Sequence, residues 1–325
     1  MNLMPLKMCP APMDYLWGGS RLKEEYGKSF DVEPLAETWE CSTHPDGPSV
    51  VDGGEYDGQT LKSVLEEHPE FLGERGLALT GGKPELPILV KLIDAAKDLS
   101  VQVHPDDDYA LKYENSLGKT EMWYVLEADA GARLVHGFRR DVTEEEVRLA
   151  AEDGSIEELL NYVPVRPGDL FFIPSGTVHA IGAGALVAEV QESSNITYRI
   201  YDYNRVGADG QKRPLHVEKA LRVMNRKADV PEDAKDRRVL QDEGAEREML
   251  RSCRYFTVER LKVTEEFGLP EDKESFHVLM CIDGEGELVA ENTHIFMKKG
   301  ETFFLPAGGP SVTVCGGVTL LDIRV

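Results

Sequence analysis

The chain has 325 residues, 41% of them hydrophobic, and a formal net charge of -23 at pH 7. This length predicts roughly two domains. The acidic balance argues against partners that are nucleic acids or anionic membrane surfaces. A negatively charged small molecule would need cationic side chains inside its own pocket.

The cysteines are five in number, widely spaced, and form no C-x-x-C pair. This pattern argues against a disulfide framework or a four-thiolate zinc site and is typical of the reducing cytosol. The N-terminal segment has no basic region followed by an apolar run, and no stretch reaches the roughly 18 apolar residues of a membrane span. We therefore expect a cytoplasmic protein with no membrane partner, either a monomer or a weak homo-oligomer.

Short apolar or alternating segments separated by Gly or Pro predict strands along most of the chain. They include LPILVKLI, LSVQVHP, MWYVLEA, ARLVHGF, LFFIP, ALVAEVQ and ITYRIYDY. Many short strands predict a β sandwich or barrel. Helical segments are expected near residues 60–75, 141–163 and 213–225, the second with Thr143 as N-cap and Glu146 at capping-box spacing.

A highly charged segment with few apolar residues follows at 226–249 and predicts a linker. Strand-like segments then resume. We expect a first domain over residues 1–225 and a second barrel over residues 250–325.

A twelve-residue repeat occurs once in each predicted domain. GDLFFIPSGTVH runs from Gly168 to His179, and GETFFLPAGGPS runs from Gly300 to Ser311. In both copies Pro ends a strand and Gly permits a tight turn. The spacing G-x5-P-x-G-x2-H of the first copy resembles the second half of the cupin metal motif, although Ala183 stands where cupins usually have Asn. The second copy ends in serine, so we expect metal ligands only in the first barrel.

Further metal ligands are expected upstream of His179. Gln102 and His104 lie two residues apart and therefore share one face of a strand. Glu121 follows seventeen residues later, and Lys119 shares its face. These side chains would join His179 around one ion, either zinc or another divalent metal such as Mn²⁺ or Fe²⁺. Alternatively, Glu121 is a solvated strand residue, or Lys119 only neutralises it.

Isolated histidines are more often structural than metal-binding, and no role is assigned to those outside the motifs. They are His44, His68, His136, His216, His277 and His294.

With these motifs in place, the chain resembles the type I mannose-6-phosphate isomerases in their shorter bacterial form. The resemblance covers WGG near the start, AETWECSTHPDGPS, ILVKLIDAAKDLSVQVHPDD, GKTEMWYVLEA and IPSGTVHAIGAGALVAEVQESSNITYRIYDYNR. It implies a mainly β fold of two cupin-like jelly-roll barrels with a small helical insertion. It also implies one Zn²⁺ per chain, held by Gln102, His104, Glu121 and His179.

The same resemblance implies that Arg199, Lys119 and Glu189 are catalytic and that Ser100 and Arg205 bind the substrate phosphate. From the residues alone, a hairpin turning near 193–195 would bring Glu189 and Arg199 opposite each other, where they could instead form a cross-strand ion pair. Arg205 could equally be an exposed loop charge.

The implied reaction interconverts mannose 6-phosphate and fructose 6-phosphate through a cis-enediol, with either Glu189 or Lys119 as the base. Two alternatives are a metal-dependent cupin dioxygenase and a non-catalytic sugar-phosphate-binding cupin. Gln102 in a histidine position and the GKTE context argue against the dioxygenase. The presence of Lys119, Glu189 and Arg199 together argues against the non-catalytic protein.

Overall fold

The computed structural model describes residues 3–207, 210–229 and 237–325. The strands that precede residue 202 are β1 Leu6–Cys9, β2 Ala11–Met13, β3 Glu37–Cys41, β4 Val50–Val51, β5 Ile88–Ala95, β6 Val101–Val103, β7 Glu121–Ala128, β8 Arg133–Phe138, β9 Leu160–Pro164, β10 Leu170–Ile173, β11 His179–Ile181, β12 Ala185–Glu192 and β13 Tyr198–Tyr201. The later strands are β14 Val239–Asp242, β15 Ala245–Ser252, β16 Thr257–Val263, β17 Glu266–Leu269, β18 His277–Ala290, β19 Thr293–Lys298, β20 Thr302–Leu305 and β21 Val312–Arg324.

The helices are short and lie mostly outside the sheets. They are α1 Arg21–Glu24, α2 Leu61–Glu67, α3 Gly73–Leu79, α4 Asp107–Tyr113, α5 Glu144–Asp153 and α6 Val217–Val223, with 3-10 turns at Pro69–Leu72 and Ser155–Glu158. Thr143 caps α5, and the predicted capping box with Glu146 is confirmed. None of the helices in the described ranges combines the length and apolar character that crossing a bilayer demands.

Two antiparallel sheets form the first barrel. One has the strand order β10-β7-β12-β5-β3-β2, and the other has the order β13-β6-β11-β8-β9. Apolar side chains from both sheets pack between them, among them Ile93 and Trp123 from the first sheet and Leu134 and Ile181 from the second. The six-stranded sheet also packs a second core against its outer face. Its central strands β5 and β12 are therefore buried along their whole length, which explains their nearly continuous apolar sequences.

The second barrel is one curled sheet with the strand path β14-β15-β16-β21-β18-β20-β1-β4. Its last two strands come from the N-terminus of the chain, and Lys7 lies opposite Phe303 in the pairing of β1 with β20. Leu6, Phe71, Phe276 and Phe304 belong to one core that joins the two barrels. The mainly β architecture predicted from the sequence is confirmed.

The chain between the barrels includes part of the segment predicted as a linker. Residues 230–236 of that segment lie outside the described residues, and β14 and β15 form a hairpin at its C-terminal end. The division into parts at 1–225, 226–249 and 250–325 stays a prediction.

Candidate metal centre and active site

The predicted metal ligands come from three strands of the first barrel. Gln102 lies on β6, and His104 follows directly after that strand. His179 begins β11 and lies opposite Gln102 in the sheet register. Glu121 begins β7 in the facing sheet. The two-residue spacing and the jelly-roll packing together bring all four side chains to one point inside the barrel.

The distances among these side chains suit one divalent ion. The Nε2 atoms of His104 and His179 lie 3.1 Å apart. Glu121 places Oε1 3.3 Å from His179 Nε2 and Oε2 3.6 Å from His104 Nε2. The Gln102 amide lies 3.4 Å from His179 Nε2. Ligand atoms around a tetrahedral ion with bonds of about 2.0–2.1 Å are about 3.3 Å apart.

Burial gives the cluster the electrostatics of a cation site. His104, Glu121 and His179 are at most 1% exposed. Burial raises the pKa of Glu121 to about 8. Burial and the Lys119 ammonium lower the pKa of His179 to about 3 and that of His104 well below its usual range. The imidazoles therefore keep their lone pairs, while Glu121 Oε1 is buried without a hydrogen-bond partner. These residues fit a bound divalent metal ion.

The turn before β11 orients one ligand and connects two of them. His179 Nδ1–H donates to the Thr177 carbonyl at 2.8 Å, which directs Nε2 into the cluster. Gly176 N–H donates to the His104 carbonyl at 2.8 Å. The repeat's Gly turn therefore sets the spacing between the two imidazoles.

A cavity of about 320 Å³ lies beside the cluster. Its lining includes the predicted site residues Ser100, Gln102, Lys119, Glu189 and Arg199. It also includes cations that the sequence analysis did not select, namely Lys91 and Arg213. Because the chain as a whole is strongly acidic, an anionic molecule would need cationic side chains in its own pocket. This cavity has them.

Two lysines and a glutamate form a buried charge cluster on one wall of the cavity. Lys119 Nζ lies 3.0 Å from His104 Nε2 and is hydrogen bonded to Glu121. Glu189 pairs with Lys91 at 3.1 Å and lies 3.9 Å from Lys119. Burial would raise the pKa of Glu189, but the two ammonium groups outweigh it and hold that pKa at about 2. Glu189 is thus a fixed negative charge between two cations.

The sequence carried a signal for Lys91 that the analysis did not use. This lysine is the one basic residue in the apolar run of β5, and its side chain is 4% exposed in the structure. A buried lysine is rare unless it is paired. Its carboxylate partners are remote in sequence, because Glu37 at 3.6 Å and Glu189 lie on other strands.

The expected hairpin between Glu189 and Arg199 is wrong. After β12 the chain leaves the six-stranded sheet, and β13 joins the five-stranded sheet beside β6. Arg199 therefore lies opposite Gln102. The crossover occurs because the jelly roll sends successive strands to facing sheets, and Glu189 pairs with Lys91 instead. Arg199 Nε donates to Ser100 Oγ at 3.3 Å.

Arg205 does not line the cavity. Its guanidinium is hydrogen bonded to Asp202 and to the Asp98 carbonyl. Arg213 lines the cavity instead, and its Nε donates to Asp202 Oδ2 at 2.8 Å. Burial and the nearby Arg213 charge lower the pKa of Arg199, so these two arginines concentrate positive charge where an anion could bind. The role of Arg205 in phosphate binding stays a prediction.

The barrel architecture, the buried ligand cluster and the charged cavity define a cupin-type enzyme built around a candidate metal site. Comparison with known proteins supports this class. Residues 6–148 match the family described as phosphomannose isomerase type I, catalytic domain, and residues 246–325 match mannose-6-phosphate isomerase, cupin domain.

Full-length relatives give the same result. The mannose-6-phosphate isomerase ManA of Bacillus subtilis is 38% identical over 95% of each chain. The mannose-6-phosphate isomerase of Streptococcus mutans is 37% identical over 90% of this chain and 89% of its own. A crystal structure of the Bacillus subtilis mannose 6-phosphate isomerase matches with a TM-score of 0.90 and 35% identity over 99% of each chain. This chain belongs to the type I mannose-6-phosphate isomerase family, which confirms the predicted resemblance and its cupin fold.

Proposed function

We propose that this protein is a zinc-dependent isomerase that interconverts mannose 6-phosphate and fructose 6-phosphate. The observation that carries the proposal is the buried cluster of His104, Glu121 and His179, with Gln102 beside it, which adjoins a cavity lined by Lys119 and other charged side chains. Membership of the isomerase family supports the same reaction.

We assign the four ligands to one Zn²⁺ ion. Two imidazoles, a carboxylate and an amide oxygen are nitrogen and oxygen donors of the kind that zinc accepts. Rotation of the Gln102 amide would direct its oxygen to the ion. Bound at this position, the ion would supply positive charge beside the oxygen atoms of the substrate, where charge develops during the reaction.

Substrate binding is assigned to the cationic side of the cavity. Arg213 and the Ser100 hydroxyl would hold the phosphate, and Arg199 would lie between that group and the reacting carbons. Fixing the phosphate converts binding energy into orientation of the sugar chain. Arg199 would also stabilise negative charge on the enediolate oxygens. Both Arg205 and Arg213 pair with Asp202, but only Arg213 lines the cavity, so we rank Arg205 behind it.

Proton transfer is assigned to Lys119. In the aldose-to-ketose direction, a base removes the proton from C2 and returns a proton to C1, while the proton of the C2 hydroxyl moves to O1. Glu189 is a poor base because its pKa is held at about 2. Lys119 lines the cavity, and its Nζ lies 3.0 Å from His104 Nε2 and 3.9 Å from Glu189, so it would lie beside the sugar carbons next to the metal ligands. Glu189 would then fix the positions of both lysines.

The cellular setting follows from the same chemistry. We propose that the enzyme acts in the cytoplasm, which fits the five free cysteines. We further propose that it works as a monomer or a weak homo-oligomer, because side chains from one chain line the cavity.

A coupled isomerase assay on the purified protein tests the proposal. Mannose 6-phosphate is supplied to the protein as isolated, after chelation, and after zinc is restored. We expect turnover that disappears with the chelator and returns with zinc. A folded protein with one zinc per chain and no turnover would overturn the isomerase assignment. Restoration by manganese or iron but not by zinc would overturn the choice of metal alone.

A further inference from the structure

A pair of carboxyl groups holds the backbone on both sides of Lys119. Asp107 Oδ1 accepts a hydrogen bond from Gly118 N–H at 2.9 Å. Glu192 Oε1 accepts one from Thr120 N–H at 2.6 Å. The two carboxyl groups also lie close to each other, and Asp107 contributes to the raised pKa of Glu192. Both peptide groups that flank Lys119 are therefore fixed by one acidic pair.

The supported segment has no regular secondary structure of its own. Residues 117–120 connect α4 to β7 as extended loop. Lys119 N–H donates to the Pro105 carbonyl at 3.1 Å, and Glu192 N–H donates to the Thr120 carbonyl at 3.0 Å. A Cβ atom on Gly118 would lie 2.6 Å from the Asp107 nitrogen, so the loop packs closely against the start of α4. The backbone position of Lys119 thus depends on these few contacts.

The acidic pair is connected to the second barrel through one tyrosine. Tyr255 lies in the turn between β15 and β16. Its hydroxyl donates to Asp107 Oδ2 at 3.2 Å. A chain of hydrogen bonds therefore runs from the second barrel through Asp107 to the Gly118 N–H beside Lys119, while Glu192, close to Asp107, holds the Thr120 N–H on the other side.

We propose that Asp107, Glu192 and Tyr255 are positioning residues that aim Lys119 at the substrate, and that the second barrel acts on turnover through Tyr255. The proposal rests on the function proposed above, in which Lys119 transfers the proton. Small displacements of a reacting group are costly, because a misplacement of about 1 Å can reduce a rate about 100-fold.

The protonation state of Asp107 and Glu192 determines which substitution of Glu192 can preserve their hydrogen bonds. Burial, with Asp107 adding to it, raises the pKa of Glu192 to about 8. At neutral pH Glu192 can therefore donate a hydrogen bond to Asp107 while still accepting one from Thr120. A glutamine at position 192 has a donor and an acceptor in the same arrangement, whereas an alanine has neither.

The test compares E192A, E192Q and Y255F with the matched control T302V. Thr302 is buried in the second barrel and donates to Glu40 Oε2 at 2.9 Å, so T302V also removes a hydrogen bond between the barrels, at a different place. We expect kcat to fall about 10- to 100-fold in E192A and about threefold to tenfold in Y255F. KM for mannose 6-phosphate and bound zinc should stay within about twofold in both variants. E192Q and T302V should keep kcat within about twofold of the wild-type value.

Amide hydrogen exchange gives a readout that does not depend on activity. Exchange of the Thr120 amide should accelerate in E192A and that of Gly118 in Y255F, with thermal unfolding temperatures close to wild type. Unchanged kcat and unchanged exchange in Y255F would overturn the role of the second barrel. If E192A does not fold, Y255F and E192Q still decide the question. If the wild-type protein has no isomerase turnover while the variants still show faster exchange, the proposed function fails and not the hydrogen-bond chain. Accelerated exchange in the variants with an unaltered kcat would overturn the positioning role.

Discussion

At the scale of single residues, the wall of the cavity places Glu189 between the ammonium groups of Lys91 and Lys119. The carboxylate is 3% exposed and also accepts a hydrogen bond from Trp123 Nε1 at 2.9 Å. A buried charge of this kind is stable only while its partners remain. Removing either cation should therefore change the ionisation of Glu189 and not only the shape of the cavity.

Lys91→Met tests this dependence. Without the nearer cation the pKa of Glu189 rises from about 2, and Glu189 becomes protonated as the pH falls through the raised value. We expect the acid side of the kcat/KM profile to decline at a higher pH than in wild type, with kcat at neutral pH lower by about tenfold or more. The control is Lys97→Met, which removes an exposed lysine near the same barrel. An acid limb identical to that of wild type would contradict the electrostatic coupling.

A second charge pair, only partly buried, lies in the C-terminal barrel, where His277 Nδ1 contacts Asp322 Oδ1 at 2.7 Å. Burial lowers the pKa of His277, but Asp322 outweighs it and the pKa is raised above 6.5. Arg324, which also pairs with Asp322, and Asp272, 3.7 Å from Nε2, are the other charges nearby. The protonated pair therefore stabilises the fold below the unfolded pKa, and this stability is lost as the pH rises through the folded pKa.

His277→Gln measures that contribution. The variant should lose more free energy of unfolding, relative to wild type, near pH 6 than near pH 9, by on the order of 1 kcal/mol. Urea denaturation at the two pH values provides the comparison, with the exposed His294→Gln as control. An equal loss at both pH values would show that His277 is not protonated in the folded protein.

Several site residues were predictable from the sequence because their signals are local. Gln102 and His104 share a strand face, and His179 follows a recognisable turn. Lys91 and Arg213 were missed because their importance depends on partners far away in the chain, on Glu189 and Asp202. Periodicity cannot supply such pairings, since it reports only which face of its own strand a residue occupies.

At the scale of elements, the repeat shows which local features survive without a metal site. Gly176 and Gly308 occupy equivalent turn positions, and both have positive φ angles, 87° and 69° respectively. A Cβ on Gly176 would meet the Val223 carbonyl at 2.9 Å, whereas Gly308 faces open space. Only the first turn therefore lacks room for a side chain at this glycine.

The pair Gly176→Ala and Gly308→Ala uses this difference. Both variants place alanine in the left-handed region at a cost of about 1–2 kcal/mol, but only Gly176→Ala adds a steric contact beside the ligand strand. We expect Gly176→Ala to lower the unfolding temperature further and to retain less zinc, measured by elemental analysis. Equal zinc content and equal unfolding temperatures in the two variants would contradict a role of the turn in ligand placement.

Predicted elements succeeded where the governing interaction was close in sequence. The capping box joins Thr143 to Glu146, three positions later, and it formed as expected. The hairpin expected between Glu189 and Arg199 failed because the sequences of β12 and β13 do not themselves specify a partner strand. The choice between pairing with each other and joining facing sheets depends on β5 and β6, which precede them by many residues.

At the scale of the whole molecule, the two barrels are not independent folding units, because they share a hydrophobic core and strand β1 pairs within the second barrel. The shared core contains Leu6 and Phe71 from the first part together with Phe276 and Phe304 from the last. Backbone hydrogen bonds also cross between them, including Ala307 N–H to the Phe71 carbonyl at 2.9 Å. Separation would expose apolar surface on both sides.

Truncation tests this interdependence. A fragment of residues 1–245 loses β20, one of the two partners of β1, and 10 of the 32 buried residues of the shared core, so we expect it to lack a cooperative unfolding transition. The full chain should unfold in a single calorimetric transition. A fragment that unfolds cooperatively near the wild-type temperature, or two well-separated transitions in the full chain, would contradict the prediction.

The pairing of β1 with β20 can form only after nearly the whole chain has been synthesised. Lys7 and Phe303 are neighbours in the sheet, yet a ribosome adding about 5–20 residues per second makes them roughly 15–60 s apart. The edge of β1 that faces β20 is thus among the last to be paired, although its other edge can pair with β4 much earlier. Throughout that interval its hydrogen-bonding edge is available to other chains. The nascent protein should therefore depend on chaperones more at its beginning than at its end.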